Sequence, residues 1–235
     1  MKPFLTFPQP MIPATFQARP QRFLITAKMA DDTLITAYCA NPGSFKDCLT
    51  PGSPILLWDS PDATRKRRYT LRAIKLGRHW IGTDTHLANR LVERALLEHS
   101  LPGLEGYDIL TREPRDNKGS RLDFHLVGPE GQCFLEVKSA TVVSGTCARY
   151  PDSKTLRTLA QLRLLASKAK AGNRAVLLFL VQRGDVDSFA FNRDCDSTLS
   201  RAFDRALAAG VEVIAVKHAV TQRGFSQPLL LPSGF

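Results

Sequence analysis

Ser120 to Ser139 alternates apolar and polar side chains on both sides of a Gly-Pro-Glu-Gly break, the pattern of two antiparallel strands joined by a tight turn. Pro129 is pre-set for the second turn position, and Gly128 and Gly131 supply backbone freedom at its ends. A turn centred between Pro129 and Glu130 sets Asp123 opposite Glu136. Facing β-carbons in such a pair are about 5 Å apart, so two like charges placed there repel and need compensation.

Alternation puts Arg121, Asp123 and His125 on one face with Phe134, Glu136 and Lys138. Leu122, Phe124 and Leu126 with Cys133, Leu135 and Val137 form the opposite, core-facing side. Two carboxylates and a lysine therefore converge. Mg²⁺ or Mn²⁺ bound by Asp123 and Glu136 would relieve the repulsion and keep waters for a phosphate to displace. Lys138 would then orient or deprotonate a water, or stabilise charge on a phosphate oxygen, as metal-assisted phosphodiester hydrolysis requires. An exposed polar face, with Arg121 and Lys138 neutralising the two acids across the strands, has the same spacing. His125 is expected to be a neighbour of the site, since imidazole suits Mg²⁺ poorly.

Asp123 followed by Glu136-Val137-Lys138 resembles the PD-(D/E)XK nuclease signature. Further stretches are similar to one family, the sugar fermentation stimulation (SfsA) proteins: Pro20 to Leu24, Cys39 to Ser44, Cys48 to Gly52, Trp80 to Leu97 with Asn89-Arg90-Leu91, Ser120 to Phe124, Tyr150 to Asp152, and Gly172 to Phe179. The resemblance implies an N-terminal OB-like β-barrel (1–80) and a restriction-endonuclease-like α/β domain with a mixed sheet (81–235). It also implies DNA as partner and metal-dependent cleavage as the activity. The family usually carries Thr where Pro42 stands, Glu where Arg94 stands and His where Gln161 stands. Without that helix glutamate, Glu93 or Glu98 would have to supply any third carboxylate. The rival to a nuclease is a non-catalytic DNA-binding transcriptional regulator linked to sugar utilisation.

Charge agrees with a polyanionic partner. The 235 residues carry a formal net charge of +10, with 12 basic and 5 acidic residues before position 81. Arg65, Lys66, Arg67 and Arg68, followed by Arg72 and Lys75 with Tyr69 and Trp80 interleaved, suit a phosphate backbone and stacked bases, or else a solvated basic loop. Charge and aromatics leave RNA open as the partner. Ser44 and Lys46 stand in a polar turn that either holds a phosphate or only reverses the chain. No apolar run reaches the roughly 18 residues needed to span a bilayer. The proline-broken start is unlike a signal sequence. Five cysteines without a CxxC pair indicate neither a disulfide framework nor zinc, and a reducing cytoplasm is expected, with Cys133 a core residue.

Along the chain, residues 1–18 carry four prolines and are expected to be a loosely held arm. Short strands are expected at 22–29, 33–39, 55–60 and 68–76, and a helix over 83–99. A strand at 108–113, a charged connection at 115–119, a covering loop at 142–152 and a helix at 154–170 follow. On that last helix Leu156, Leu159, Leu162 and Ala166 are assigned to the core. Arg157 and Gln161 lie on another side, either orienting the scissile phosphate or the lysine, or simply solvated. A buried strand at 174–181, a helix at 197–209 and a strand at 211–216 complete an α/β pattern.

Overall fold

The computed structural model describes residues 2–43, 45, 48–114 and 121–234. Ser44 and Lys46, the connection at 115–119 and Ser120 lie outside the described residues.

Five strands close into a barrel: β2 (Met11–Gln21), β3 (Leu24–Lys28), β4 (Leu34–Tyr38), β5 (Pro54–Asp59) and β6 (Tyr69–Leu76). The order is β5-β2-β3-β4-β6, and β6 pairs back onto β5. Each strand sends alternate apolar residues inward, so Phe16, Ile25, Ala27, Ala37, Ile55, Leu57, Leu71 and Ile74 fill the interior. Closure leaves no free edge among these strands.

The expectation for the first 18 residues is corrected. β2 runs 11 residues and bridges β3 and β5. Pro13 is tolerated because that half of β2 pairs only with β5, so its missing N–H leaves no ladder bond unmade. Upstream, β1 (Leu5–Thr6) pairs with β17 (Gly224–Phe225), and Phe4 and Phe7 are buried in the core of the C-terminal half. Prolines mark the arm as irregular, but the phenylalanines tie it down.

After β6 come β7 (His79–Gly82), within which the expected division at residue 80 falls, and helix α1 (His86–Leu97). The second half is built on a six-stranded mixed sheet of order β18-β15-β13-β10-β9-β8. Its strands are β8 (Ile109–Arg112), β9 (Phe124–Gly128), β10 (Gly131–Ala140), β13 (Arg174–Val181), β15 (Glu212–Lys217) and β18 (Leu229–Leu230). β10, β13 and β15 are parallel, and the outer strands are antiparallel. One face packs on α1 through Leu87, Leu91 and Val92. The other packs on α2 (Leu156–Lys170) and α3 (Ser197–Ala208) through Leu162, Leu165, Leu199 and Phe203. β13 is buried on both sides, as its unbroken apolar run requires.

The central hairpin has the expected register, with Gly131 opposite Gly128 and Leu135 opposite Phe124. Gly131 adopts φ +110°, a conformation that L side chains rarely adopt. Three sequence expectations fail locally. Residues 142–152 are not a simple loop, because β11 (Val142–Ser144) and β12 (Cys147–Tyr150) form a hairpin that joins β14 (Ser188–Phe191) in a small sheet. Leu122 packs into the α2/α3 core, since the ladder ends at Phe124 and strict alternation ends with it. Leu156 is 85% exposed, because it opens α2 beyond the edge of the sheet.

The two halves are joined tightly. Gly82 N donates to Gln182 O at 2.8 Å, Gln182 Nε2 donates to Asp84 O at 3.0 Å, and Ile81 bridges to Arg183. β16 (Val220–Thr221) pairs with β7, carrying the C-terminal segment back to the first sheet. No helix among the described residues is long and apolar enough to cross a membrane. All five cysteines are free, and Cys133 is buried in the core.

Candidate active site

β10 lies inside the sheet between β9 and β13 with α2 packed against its polar face, and its C-terminal half opens to a cleft of about 370 Å³. Glu136 is 1% exposed. Asp123 stands just before β9, where the ladder stops, and its carboxylate takes over the acceptor role: Oδ2 receives Val137 N–H at 2.8 Å. Oδ1 receives Asn89 Nδ2 at 2.8 Å, which ties the acid to α1. Both acids are thereby fixed at the same end of the hairpin.

Lys138 Nζ donates to Glu136 Oε1 at 2.5 Å and to Gln161 Oε1 at 2.6 Å. Gln161 is buried and reaches the lysine from α2, while Arg157, one turn earlier, lines the cleft. Burial pushes the Glu136 carboxyl up to about 7, Lys138 opposes that rise, and the neighbouring Asp123 charge adds to it. Its second oxygen, Oε2, is buried without a hydrogen-bond partner among the described residues. An unpartnered carboxylate oxygen beside a second carboxylate fits a hard cation. No third His, Cys, Asp or Glu joins them among the described residues, so such an ion would keep several waters, as Mg²⁺ does.

The hairpin acids, Lys138, Arg157 and Gln161 are thus brought together. Glu93 and Glu98 are not: Glu93 pairs with Arg112 at 3.2 Å and Glu98 with Arg94 at 2.8 Å. The glutamates of α1 supply no substitute carboxylate, because each is satisfied by a neighbouring arginine.

The basic residues of the barrel are also separated from the cleft. Arg72 is 9% exposed, ion-paired with Asp84 and set 4.8 Å from the Trp58 ring, so its role as a nucleic-acid contact is corrected to a structural one. Arg68 grips Asp59 through two hydrogen bonds of 2.5 and 2.6 Å, and Arg65 lies over Trp58. Lys75 is half-buried opposite Trp80 on β7. Lys66 and Arg67 are exposed. None of these six lines the cleft.

The barrel reaches the cleft by other residues. Asn41, Pro42 and Gly43 form one wall, held by Arg19 and Arg22, which donate to the Asn41, Gly43 and Pro42 carbonyls. A Cβ at Gly43 would meet the Asp152 carboxylate, which would have to move aside. Tyr150 meets Thr158 at 2.8 Å beneath the opposite wall. Asn89 and Asn41 stand inside segments singled out in the sequence, but their roles depend on contacts across elements.

Two family models cover most of the chain: the SfsA N-terminal OB domain matches residues 18–83 and the sugar fermentation stimulation protein RE domain matches residues 86–224. The chain belongs to the sugar fermentation stimulation protein (SfsA) family. The homolog from Rhizobium meliloti is 41% identical over 220 residues, covering 92% of each chain. That from Syntrophobacter fumaroxidans is 40% identical over 95% of this chain and 85% of its own. A solved structure, Pyrococcus furiosus SfsA in complex with Ca²⁺, superposes over the whole of both chains with a TM-score of 0.87 and 27% identity. For an SfsA protein the barrel and the mixed-sheet half are therefore the family's two domains. The lysine partner in this member is Gln161.

Proposed function

We propose that this SfsA protein hydrolyses phosphodiester bonds in DNA, using Mg²⁺ or Mn²⁺ held by Asp123 and Glu136. The observation that carries the reading is the unpartnered, buried Glu136 oxygen fixed beside Asp123, with Lys138 bound to the same carboxylate. The Ca²⁺ bound by the Pyrococcus furiosus relative supports a hard, oxygen-seeking cation. When bound, the metal supplies positive charge to a phosphate oxygen and acidifies a water.

The chain's own residues do the rest. Glu136 and Gln161 each take one hydrogen of the Lys138 ammonium, leaving the third to donate to a phosphate oxygen or to an attacking water. Arg157, on the exposed side of the cleft, neutralises the incoming phosphate. Asn89 holds the Asp123 carboxylate in one orientation. Water adds to phosphorus as the ester P–O bond breaks, and the leaving oxygen takes up a proton.

The test is cleavage of single- and double-stranded DNA with Mg²⁺ or Mn²⁺ by the wild type, Asp123→Ala and Lys138→Ala. Loss of two or more orders of magnitude in both variants is expected, the scale typical of removing a group that stabilises developing charge. Equal cleavage by all three proteins would sink the proposal. Salt-sensitive binding without turnover would favour a DNA-binding regulator instead.

A further inference from the structure

Besides Glu136 Oε2 and Ser139 Oγ on β10, the cleft has an unpartnered group that belongs to the barrel. Asn41 is 3% exposed and lines the cleft. Its Oδ1 accepts from Gly43 N at 2.9 Å, which fixes the orientation of the amide. The Nδ2 donor is left buried with no hydrogen-bond partner among the described residues. A buried amide donor without a partner is costly to leave unmade, so the site favours a ligand acceptor at this point.

Directly outside lies an aromatic surface. Phe23 follows Arg22 in the turn between β2 and β3 and is 41% exposed, unusually open for its size. Its ring stacks on Tyr38 of β4, with centroids 6.2 Å apart and planes at 24°. The Arg22 guanidinium lies 5.5 Å from the Phe23 centroid, and the same residue lines the cleft. The Phe23 carbonyl accepts Cys39 N at 2.9 Å and Arg22 Nε donates to Pro42 O at 2.8 Å, so ring, arginine and the approach to Asn41 form one corner. Turn and strand occupy the first-loop and second-to-third-strand face that OB barrels use to bind oligonucleotides.

We infer that this corner is the entry site for a single strand of nucleic acid: Asn41 Nδ2 and Arg22 hold a backbone phosphate, and a neighbouring base stacks on the Phe23–Tyr38 surface. The inference rests on the proposed phosphodiesterase reading, whose substrate it narrows to single strands or frayed ends. Stacking tolerates any base, so binding should be sequence-indifferent. An intact duplex offers no open base face to the rings.

The experiment is fluorescence anisotropy of an oligothymidylate and of a duplex, both in EDTA to prevent turnover, with wild type, Asn41→Asp, Phe23→Ala and Phe23→Trp. Asn41→Asp keeps the acceptor for Gly43 N but presents a negative charge to the phosphate. Phe23 is exposed, so Phe23→Ala tests the surface without touching the core. Asn41→Asp and Phe23→Ala should each lose about tenfold or more in affinity for the single strand and less than twofold for the duplex. Phe23→Trp should retain affinity, and its fluorescence should be quenched by the oligonucleotide. Single-strand affinity within twofold of wild type in Phe23→Ala, or equal losses on both ligands, would overturn the inference. Should Asp123→Ala abolish cleavage while Phe23→Ala binds normally, the entry site falls and the hydrolytic centre stands. Should nothing cleave while Phe23→Ala loses single-strand affinity, the opposite holds.

Discussion

At the scale of single residues the central fact is that Glu136 is buried beside Asp123. Its carboxyl is raised from 4.5 to about 7, so between those values the folded protein holds a proton that the unfolded chain has lost. Stability therefore falls as pH rises through that interval and levels off above it. In denaturant titrations without metal, the wild type should lose on the order of 3 kcal/mol relative to Glu136→Gln between those two pH values. A difference that stays constant with pH would show an ordinary carboxyl. Gln161→Ala should remove one of the two acceptors for Lys138 and lower cleavage about tenfold or more, while stability falls by about 1–3 kcal/mol. The hairpin acids and lysine were legible because strand alternation fixes which residues share a face. The partner of Lys138 was only half legible: helical spacing put Gln161 beside Arg157, but its burial depends on α2 lying against the polar face of β10.

Among elements, two contacts decide more than any propensity. Asp196 caps α3, accepting from Thr198 N at 2.9 Å and Leu199 N at 3.2 Å. Asp196→Ala should cost about 1 kcal/mol in urea unfolding with the denaturant slope unchanged. Asp84, buried where β7 leads into α1, pairs with Arg72 on β6 and accepts from His86 N at 2.8 Å. Removing one partner leaves a buried charge, so Asp84→Ala should destabilise by about 3–5 kcal/mol. Arg72→Ala should likewise unfold more readily, without the lowered salt slope of nucleic-acid binding that a lost phosphate contact gives. A lowered slope with unchanged stability would return Arg72 to the ligand surface. In sequence Arg72 is one more cation in a basic run; only the facing Asp84 and Trp58 separate it from Lys66 and Arg67.

For the molecule as a whole, the two family domains do not end where the chain passes from one to the other. β1 and β17 pair across almost the full length of the sequence, β16 pairs with β7, and Phe4 and Phe7 are buried in the core of the C-terminal half. One cooperative thermal transition is therefore expected by calorimetry, with van't Hoff and calorimetric enthalpies equal. Two separated transitions would mean that barrel and mixed-sheet half unfold independently. Deleting residues 219–234 should lower the transition markedly, because it bares the phenylalanines of the N-terminal arm.

The sequence by itself determined the order of β3 to β6, α1, β8, the central hairpin, α2, β13, α3 and β15, the hairpin register and the meeting of Asp123, Glu136 and Lys138. These follow from periodicity and turn chemistry, which act over a few residues. Only the tertiary structure decided that the proline-rich arm is held, that Glu93, Glu98 and Arg72 have other partners, and that Asn41 lines the cleft with Phe23 beside its Arg22 edge. Burial and pairing are set by whatever packs opposite, and those partners lie tens to hundreds of residues away in the chain.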